Sequence, residues 1–288
     1  MEVAVLIHGH QLVTLAQGED GLGGLTGLQV LDLHAFLGLH GHPLDEVDVQ
    51  HGMLHAAHLH GDGVAENSMT AFRAARDNGY GIELDVRLSR DGKLVVFHDD
   101  TLDRVTNATG RVDSKDYKEL SEISLMNTSD TIPLFTDVLS EIDGKVPLLI
   151  ELKEDAGKYG VTEKTLEILK SYNGPYIIES FNPLALGRVK KNAPNVLRGI
   201  LSMKYFSEKK YRKPMYFLLQ ILSLNVVCRP DFVAFNHTQY KTASLRLIKG
   251  IFRVTTFAWT VKSEGEEKSA YKHKFNSVIF ENYLPEKK

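Results

Sequence analysis

Two short apolar runs of the sequence carry acidic residues at a spacing that suits metal binding. Glu83 and Asp85 are two residues apart, and side chains at this spacing on a strand point to the same face. Glu151 and Lys153 repeat the spacing at the end of another apolar run. Because carboxylates inside a barrel need neutralising, three of them predict a site for a hard divalent cation, Ca²⁺ or Mg²⁺. The alternative is two structural ion pairs at a rim, Asp85 with Arg87 and Glu151 with Lys153.

A histidine follows the next apolar run after the first acidic pair. His98 is succeeded by Asp99 and Asp100, with Arg104 six residues on. Because the ordinary pKa of histidine lies near neutrality, a histidine beside a cation and a phosphate suits proton transfer. Its alternative role is structural, at the end of a strand. Arg104 suits either a phosphate contact or an ion pair with Asp100 or Asp103.

Short β-rich runs separated by helical or loop segments must position these side chains. The first two are joined by residues 87–93 alone, which predicts an antiparallel hairpin with Asp91-Gly92 at the turn. Without the hairpin arm, seven runs alternate with helices, one short of a closed eight-stranded barrel. The missing strand is expected before the helix that follows Ser68, an N-cap residue. The runs are 82–86, 94–98, 147–152, 176–181, 196–201, 232–236, 255–260 and 277–280.

Residues 1–60 differ in composition from the remainder of the chain. No Lys or Arg occurs before Arg73, and nine of the twelve histidines lie at or before His60. Apolar runs at 3–7 and 28–33 are compatible with strands, but the histidine spacing matches no zinc pattern. We therefore predict two parts, an atypical segment over 1–60 and a barrel domain over 61–288. The first part is either poorly ordered or a gene-model artefact, or else a functional appendage.

The overall composition narrows the class of protein. The chain has 43% hydrophobic and 25% charged residues, as is ordinary for soluble globular proteins, and a single cysteine, Cys228. One cysteine excludes an internal disulfide framework and suits a reducing compartment. The sequence has no apolar run of membrane-spanning length and no positively charged start of a signal peptide, so a cytoplasmic location is expected. Nothing in it indicates a nucleic-acid partner.

A basic run precedes the longest apolar stretch. Lysines and arginines are frequent over residues 204–213, and Pro214 then precedes the apolar residues 215–227. Proline suits the first turn of a helix. The stretch predicts an ordinary barrel helix with a solvated basic entry, or alternatively a surface helix that makes a peripheral membrane contact.

Many of these residues together resemble the glycerophosphodiester phosphodiesterase family. The resemblance runs from about Gly61 to the C-terminus, roughly four-fifths of the chain, and its motifs occur in the family's order. The signature region matches at Glu66-Asn67-Ser68, Ala71-Phe72, Gly79, Glu83-Leu84-Asp85-Val86, Asp91-Gly92, Val95-Val96, His98-Asp99, Leu102, Arg104 and Thr106. Later blocks match at Ile150-Glu151-Leu152-Lys153, Ser180-Phe181-Asn182-Pro183 and Ala258-Trp259-Thr260-Val261.

The resemblance implies a fold and an activity. The fold class is α/β, a (β/α)₈ TIM barrel with an atypical or missing first strand and its site at the carboxyl ends of the strands. The implied activity is hydrolysis of a small-molecule glycerophosphodiester to glycerol 3-phosphate and an alcohol. The implied metal ligands are Glu83, Asp85 and Glu151.

The resemblance also assigns roles at the substrate. His98 would be one acid/base group, and Lys153 would help to bind the phosphate. Phe181 and Trp259 would line the mouth of the site and pack on the glycerol or the alcohol.

One family motif has no match in this chain. Family members open with a strand ending in His-Arg-Gly, which supplies a second acid/base histidine and a phosphate-binding arginine, and no His-Arg-Gly occurs here. His58 or His55 could replace that histidine, although a one-residue slip on a strand turns a side chain to the other face. Either the N-terminal segment results from a wrong translation start or reading frame joined to an authentic remainder of the sequence, or the chain is a degenerate member of the family that binds metal or phosphate without turnover.

Overall fold

The computed structural model describes residues 64–283 and Pro285, with a few gaps, and the backbone of four earlier strands. Three of these strands form an antiparallel sheet in the order β1-β2-β3. Their ranges are β1 (Val3–His8), β2 (Gln11–Ala16) and β3 (Leu28–Asp32), which agrees with the strands considered at 3–7 and 28–33. The gaps after residue 64 are Asn127, Ala156, Lys158, Glu208, 210–213 and Leu284.

The fourth early strand, β4 (Ala56–His58), belongs to a different sheet and closes it. This strand is parallel to its neighbour on either side, with Ala56 in register with Gly81 and with Ile279. The sheet is therefore a closed ring of eight parallel strands, as in a (β/α)₈ barrel. The expected first strand is present before the Ser68 helix, but it is only three residues long.

The other barrel strands follow the runs predicted from the sequence. Around the ring, β5 pairs with β7, and each later strand pairs with the next until β12 meets β4. The short β6 is antiparallel to β5, and Gly92 in the turn has a φ of 74°, so the predicted hairpin is confirmed. The ranges are β5 (Gly81–Leu88), β6 (Leu94–Val96), β7 (Leu148–Leu152), β8 (Tyr176–Ser180), β9 (Arg198–Ser202), β10 (Phe232–Asn236), β11 (Thr255–Val261) and β12 (Ser277–Glu281).

Helices connect the strands and cover the barrel. The helix after Ser68 begins as expected, because the Ser68 hydroxyl accepts a hydrogen bond from the Ala71 amide at 3.1 Å. It ends at Asp77, with Asn78 as the C-cap residue and Gly79 following with a φ of 70°. The helices are α1 (Met69–Asp77), α2 (Tyr117–Leu120), α3 (Phe135–Ile142), α4 (Val161–Leu169), α5 (Pro183–Asn192), α6 (Pro214–Gln220), α7 (Asn225–Cys228), α8 (Ala243–Leu247) and α9 (Glu264–Lys272).

The alternation of side chains along the strands separates two apolar layers. On β5, Leu84 belongs to the cluster that packs against the helices, and on β7 Ile150 does the same. Leu149 instead belongs to a cluster inside the barrel. Since Glu83, Asp85 and Glu151 alternate with the helix-facing residues, their side chains lie on the inner face.

Leu84 offers a direct test of the layer between the strands and the helices. Its side chain is fully buried, so Leu84→Ala should lower the free energy of unfolding by about 2–5 kcal/mol. Leu184→Ala on α5 is the matched control, because Leu184 is 54% exposed and should change stability by about 0.5 kcal/mol or less. Urea denaturation of both variants measures the difference. Equal effects would contradict the assigned packing.

Helix α6 begins at Pro214, where the sequence predicted a helix start. Three apolar side chains near its C-terminal end, Phe217, Leu218 and Ile221, are exposed by 39–49%. Most of the basic run before it lies outside the described residues, and a membrane contact there stays a prediction. Across the described part of the chain, no helix is both long and apolar enough to span a bilayer.

Candidate active site

Acidic side chains on three adjacent strands form one row inside the barrel. Asp85 on β5 is in register with Glu151 on β7, which is in register with Glu179 on β8. Glu83 lies two residues before Asp85, on the same face. All four side chains are buried, with exposed fractions from 0% for Asp85 to 7% for Glu83. The strand register therefore concentrates four carboxylates in a small volume.

Three of these carboxylates fit a divalent cation. One oxygen from each of Glu83, Asp85 and Glu151 can be chosen so that all three lie within 4.8 Å of one another. Carboxylate oxygens are the ligands that hard cations such as Ca²⁺ and Mg²⁺ prefer. The predicted ligand set is thus brought together, and its donor atoms suit the predicted class of metal.

Lys153 makes the main ion pairs of this cluster. Its Nζ lies 3.0 Å from Asp85 Oδ1 and 2.8 Å from Glu151 Oε2. The ion pair of Glu151 with Lys153 is therefore present, although it is buried in the cluster and not at the rim, and the expected pair of Asp85 with Arg87 is wrong because Asp85 pairs with Lys153. Arg87 bonds instead to Asp100 at 2.5 Å and to the backbone carbonyl of His98, because its side chain reaches across to the loop after β6.

Burial and the charges of neighbouring groups determine the pKa values of these side chains. Burial raises the pKa of Glu151 to about 7, with Lys153 lowering it and Asp85 raising it further. Burial, and then the charges of Glu151 and Glu83, raise the pKa of Glu179 well above its usual value. Burial would lower the pKa of Lys153, but Asp85 and Glu151 hold it above its ordinary value. One ammonium does not balance four carboxylates, so added positive charge would stabilise the cluster.

Asn67 holds Asp85 in place, a role that the sequence reading did not assign. Asn67 Nδ2 donates to Asp85 Oδ2 at 2.8 Å, and the Asp85 amide donates to Asn67 Oδ1 at 3.3 Å. Asn67 has a φ of 54°, in the left-handed region that asparagine tolerates better than most residues. Because Asn67 lies just before the N-cap of α1, its side-chain amide can donate to the Asp85 carboxylate of the candidate metal site.

His98 belongs to a hydrogen-bonded network at the edge of the site. Its Nδ1 lies 2.6 Å from Asp99 Oδ1, and Arg104 Nε donates to Asp99 Oδ2 at 2.5 Å. Arg104 also pairs with Glu66 at 2.6 Å, so the alternative of a pair with Asp100 or Asp103 is wrong, and the alternative of a phosphate contact stays a prediction. Burial alone would raise the pKa of Asp99, but the bonds from Arg104 and His98 lower it. Asp99 is therefore an ionised carboxylate that orients the His98 ring.

Removing the Asp99 charge tests whether it positions His98. We expect Asp99→Asn to lower kcat by about 10-fold to 100-fold with KM changed less than about threefold, since partners that orient a functional histidine have effects of this size. Asp103→Asn, at a neighbouring exposed carboxylate, is the control and should retain full activity. Steady-state kinetics separate kcat from KM. A change confined to KM would show that Asp99 acts on the substrate instead.

A cavity of about 290 Å³ opens above the carboxylate row. The rings of Phe181 and Trp259 meet there edge to face, with centroids 5.6 Å apart. The predicted residues that line this cavity are Glu83, Asp85, Glu151, His98, Phe181 and Trp259. Lys153 contacts the carboxylates and also lines a neighbouring cavity.

The second predicted acid/base residue, His58, is described by its backbone alone. It is the last residue of β4 and is in register with Glu281 of β12, which lines the cavity. Its side chain lies outside the described residues, as does the whole of His55. The role of His58 therefore stays a prediction.

The fold and the site together define a class, the TIM-barrel proteins with a candidate metal site at one end of the strands. The chain is more narrowly a member of the glycerophosphoryl diester phosphodiesterase family, since the sequence profile of that family matches residues 52–281. The profile covers all the described barrel strands, β4 included. The resemblance noted from the motifs is thereby confirmed.

Relatives in sequence agree with this membership, and a solved structure agrees with the fold. The glycerophosphodiester phosphodiesterase of Caldanaerobacter subterraneus subsp. tengcongensis is 41% identical over 152 residues, covering 48% of this chain and 61% of that relative. The match therefore spans about three fifths of the relative's length. Glycerophosphodiester phosphodiesterase 1 of Bos taurus is 26% identical over 255 residues, covering 76% and 74%. A phosphodiesterase of Oleispira antarctica, solved with the product sn-glycerol-3-phosphate, superposes with a TM-score of 0.65 at 22% identity, covering 78% and 91%.

Glu179 is the buried site residue that the sequence reading passed over. It lies in the apolar run 176–181, two residues before Phe181 and in phase with it. The available signal was a single glutamate inside an otherwise apolar barrel strand, because a carboxylate is rarely buried unless it has a polar or charged partner.

Proposed function

We propose that this chain hydrolyses glycerophosphodiesters to glycerol 3-phosphate and an alcohol, with Ca²⁺ or Mg²⁺ as its cofactor. The observation that carries the proposal is the close approach of Glu83, Asp85 and Glu151, with donor oxygens within 4.8 Å of one another. His98 lines the same cavity, so a group able to transfer protons lies beside the candidate metal ligands.

Cleavage of a phosphodiester builds negative charge on the non-bridging oxygens and expels a poor alkoxide leaving group. Glu83, Asp85 and Glu151 would hold the cation, which when bound stabilises that developing charge. Lys153, between two of those carboxylates, adds a fixed positive charge next to the phosphate position. His98, oriented by Asp99, would move a proton to or from the reacting oxygens, an effect typically worth about 10² to 10⁴ in rate.

The remaining predicted residues would bind and complete the site. Phe181 and Trp259 form the apolar wall of the cavity and would pack on the carbon skeleton of the substrate. His58, on the strand between β5 and β12, is our candidate for the second acid/base group.

The proposal is tested with the full chain and glycerophosphocholine. We expect choline and glycerol 3-phosphate to appear in equal amounts when Ca²⁺ or Mg²⁺ is present, which identifies the bond that is broken. The competing possibility is a family member that binds metal or phosphate without turnover, and the missing His-Arg-Gly motif favours it. Failure of folded protein to release either product, combined with measurable binding of glycerol 3-phosphate, would support that alternative.

The division of the chain gives a further prediction. We propose that the barrel is a separate domain whose boundary lies before β4 and not at residue 61, since β4 completes the ring and the strands β1 to β3 pair with one another and not with the barrel strands. A chain truncated before residue 52, where the family match begins, should keep kcat/KM within about threefold of the full chain. Choline release by the two chains measures this. Loss of cooperative unfolding in the shorter chain would show that the barrel needs the preceding residues.

A further inference from the structure

Two buried polar atoms in the active-site cavity have no hydrogen-bond partner among the described residues. They are Oε2 of Glu179 and Nε1 of Trp259. The Glu179 side chain is 1% exposed, and both residues line the cavity of about 290 Å³. Burying a polar group without a partner is unfavourable, so such groups are usually satisfied by a ligand or water. Both atoms are therefore available to a bound molecule.

The chemistry of the two atoms restricts what that molecule offers. A carboxyl oxygen of Glu179 accepts a hydrogen bond, and a protonated carboxyl group also donates one. An indole nitrogen donates only, so it requires an acceptor. A neutral hydroxyl group is both a donor and an acceptor and can meet either need.

The surroundings of Glu179 indicate the size and character of the rest of the ligand. Phe181 lies two residues further along the chain from Glu179, on the same face, and its ring contacts Trp259. Leu201 and Ile279 also line the cavity. Polar atoms framed by apolar walls suit a short carbon chain that carries hydroxyl groups.

We propose that Glu179 and Trp259 Nε1 bind the free hydroxyl groups of the glycerol unit and so select phosphodiesters that carry them. The inference rests on the proposed function, in which the phosphodiester bond is cleaved beside Glu151. Glu179 is thus a specificity residue for the alcohol that stays attached to the phosphate. The carboxylate triad and His98 retain their roles in bond cleavage.

A pair of substrates with the same leaving group isolates this role. Glycerophosphocholine carries two free hydroxyls and propyl phosphocholine carries none, and both release choline. The full chain should favour the former by about 10²-fold in kcat/KM, because propyl phosphocholine would leave two buried polar groups without hydrogen-bond partners. Glu179→Leu should lower kcat/KM about 10²-fold for glycerophosphocholine and leave propyl phosphocholine within about threefold. Glu179→Gln, which keeps an acceptor oxygen, should restore part of the preference.

Two controls separate recognition from folding and metal binding. Glu267→Gln removes another buried carboxylate, on α9, whose partner is the Tyr283 hydroxyl, and should leave the preference unchanged. Thermal unfolding of each variant with and without Ca²⁺ reports on the fold and on the metal. Equal loss of activity on both substrates, or loss of the Ca²⁺-dependent stabilisation in Glu179→Leu, would overturn the proposal.

A binding measurement tests this inference separately from the proposed function. Calorimetry should show that the full chain binds glycerol 3-phosphate more tightly than propyl phosphate, and that Glu179→Leu binds the two equally. That result would support hydroxyl recognition even if neither diester is cleaved, in which case the proposed function alone fails. Equal binding of the two ligands by the unmodified chain would contradict the inference, whatever the activity.

Discussion

Replacing Glu151 by glutamine is expected to lower kcat/KM for glycerophosphocholine by about 10³-fold, because it removes one of three charged ligands for the cation. The same variant should lose the stabilisation that Ca²⁺ or Mg²⁺ confers on the full chain, since a ligand stabilises a protein only in proportion to its binding. Without metal the variant should be as stable as the original chain or more so. Lys153 keeps its pair with Asp85, and one buried negative charge is removed.

The control for this variant is Glu267→Gln, a buried glutamate on α9. It should retain the activity and the metal-dependent shift in unfolding temperature. Thermal unfolding with and without the cation, together with steady-state kinetics, measures both properties on one sample. If Glu151→Gln keeps its metal response and its activity, the carboxylate triad does not bind the functional cation.

Replacing His98 by asparagine carries the second large expected effect. We expect kcat for glycerophosphocholine to fall by about 10²-fold to 10⁴-fold, the usual contribution of a positioned acid/base group. Substrate and metal affinity should stay close to those of the original chain, because His98 lies beside the carboxylate triad and is not part of it. Single-turnover kinetics with saturating substrate measure the loss in the chemical step.

A second substrate distinguishes the two proton-transfer roles of His98. Glycerol 3-(p-nitrophenyl) phosphate has a leaving group that departs without protonation. A much smaller loss on this substrate assigns His98 as the acid, and an equal loss assigns it as the base. His273→Asn, at a histidine whose ring stacks on Tyr240 outside the cavity, is the matched control. Losses below about threefold on both substrates would exclude His98 from catalysis.

Local patterns in the sequence are sufficient to predict that the three carboxylates lie inside the barrel. The two-residue period of a strand places Glu83 and Asp85 on one face, and the apolar character of the flanking residues indicates that the strand is covered on both sides. Glu151 follows the same rule on β7. The parallel register that brings Asp85 beside Glu151 then follows from the barrel architecture.

The closing strand could not be recognised from its own residues. Ala56–His58 is three residues long, and neither alanine nor histidine is a strong strand former. Its strand geometry depends on pairing with β5 and β12, whose residues are distant in the sequence. Short strands of this kind are determined by tertiary contacts and not by local propensity.

Local sequence patterns also could not predict which polar side chains pair with one another. Arg104 pairs with Glu66, 38 residues away, although Asp100 and Asp103 are closer in the sequence. Asn67 reaches Asp85 from the loop before α1 because its left-handed backbone turns the amide inward. Such contacts depend on how the loops fold over the barrel, which residue spacing alone does not specify.

A metal titration of the full chain tests the central assignment most directly. The protein is stripped of divalent ions with a chelator, and choline release from glycerophosphocholine is followed as Ca²⁺ or Mg²⁺ is returned. We predict no release in the chelator and full recovery with added cation, at a concentration that also raises the unfolding temperature. Unchanged release in the chelator would contradict a metal-dependent site at Glu83, Asp85 and Glu151. Folded protein that binds the cation and releases no choline would contradict the proposed hydrolysis and support binding without turnover.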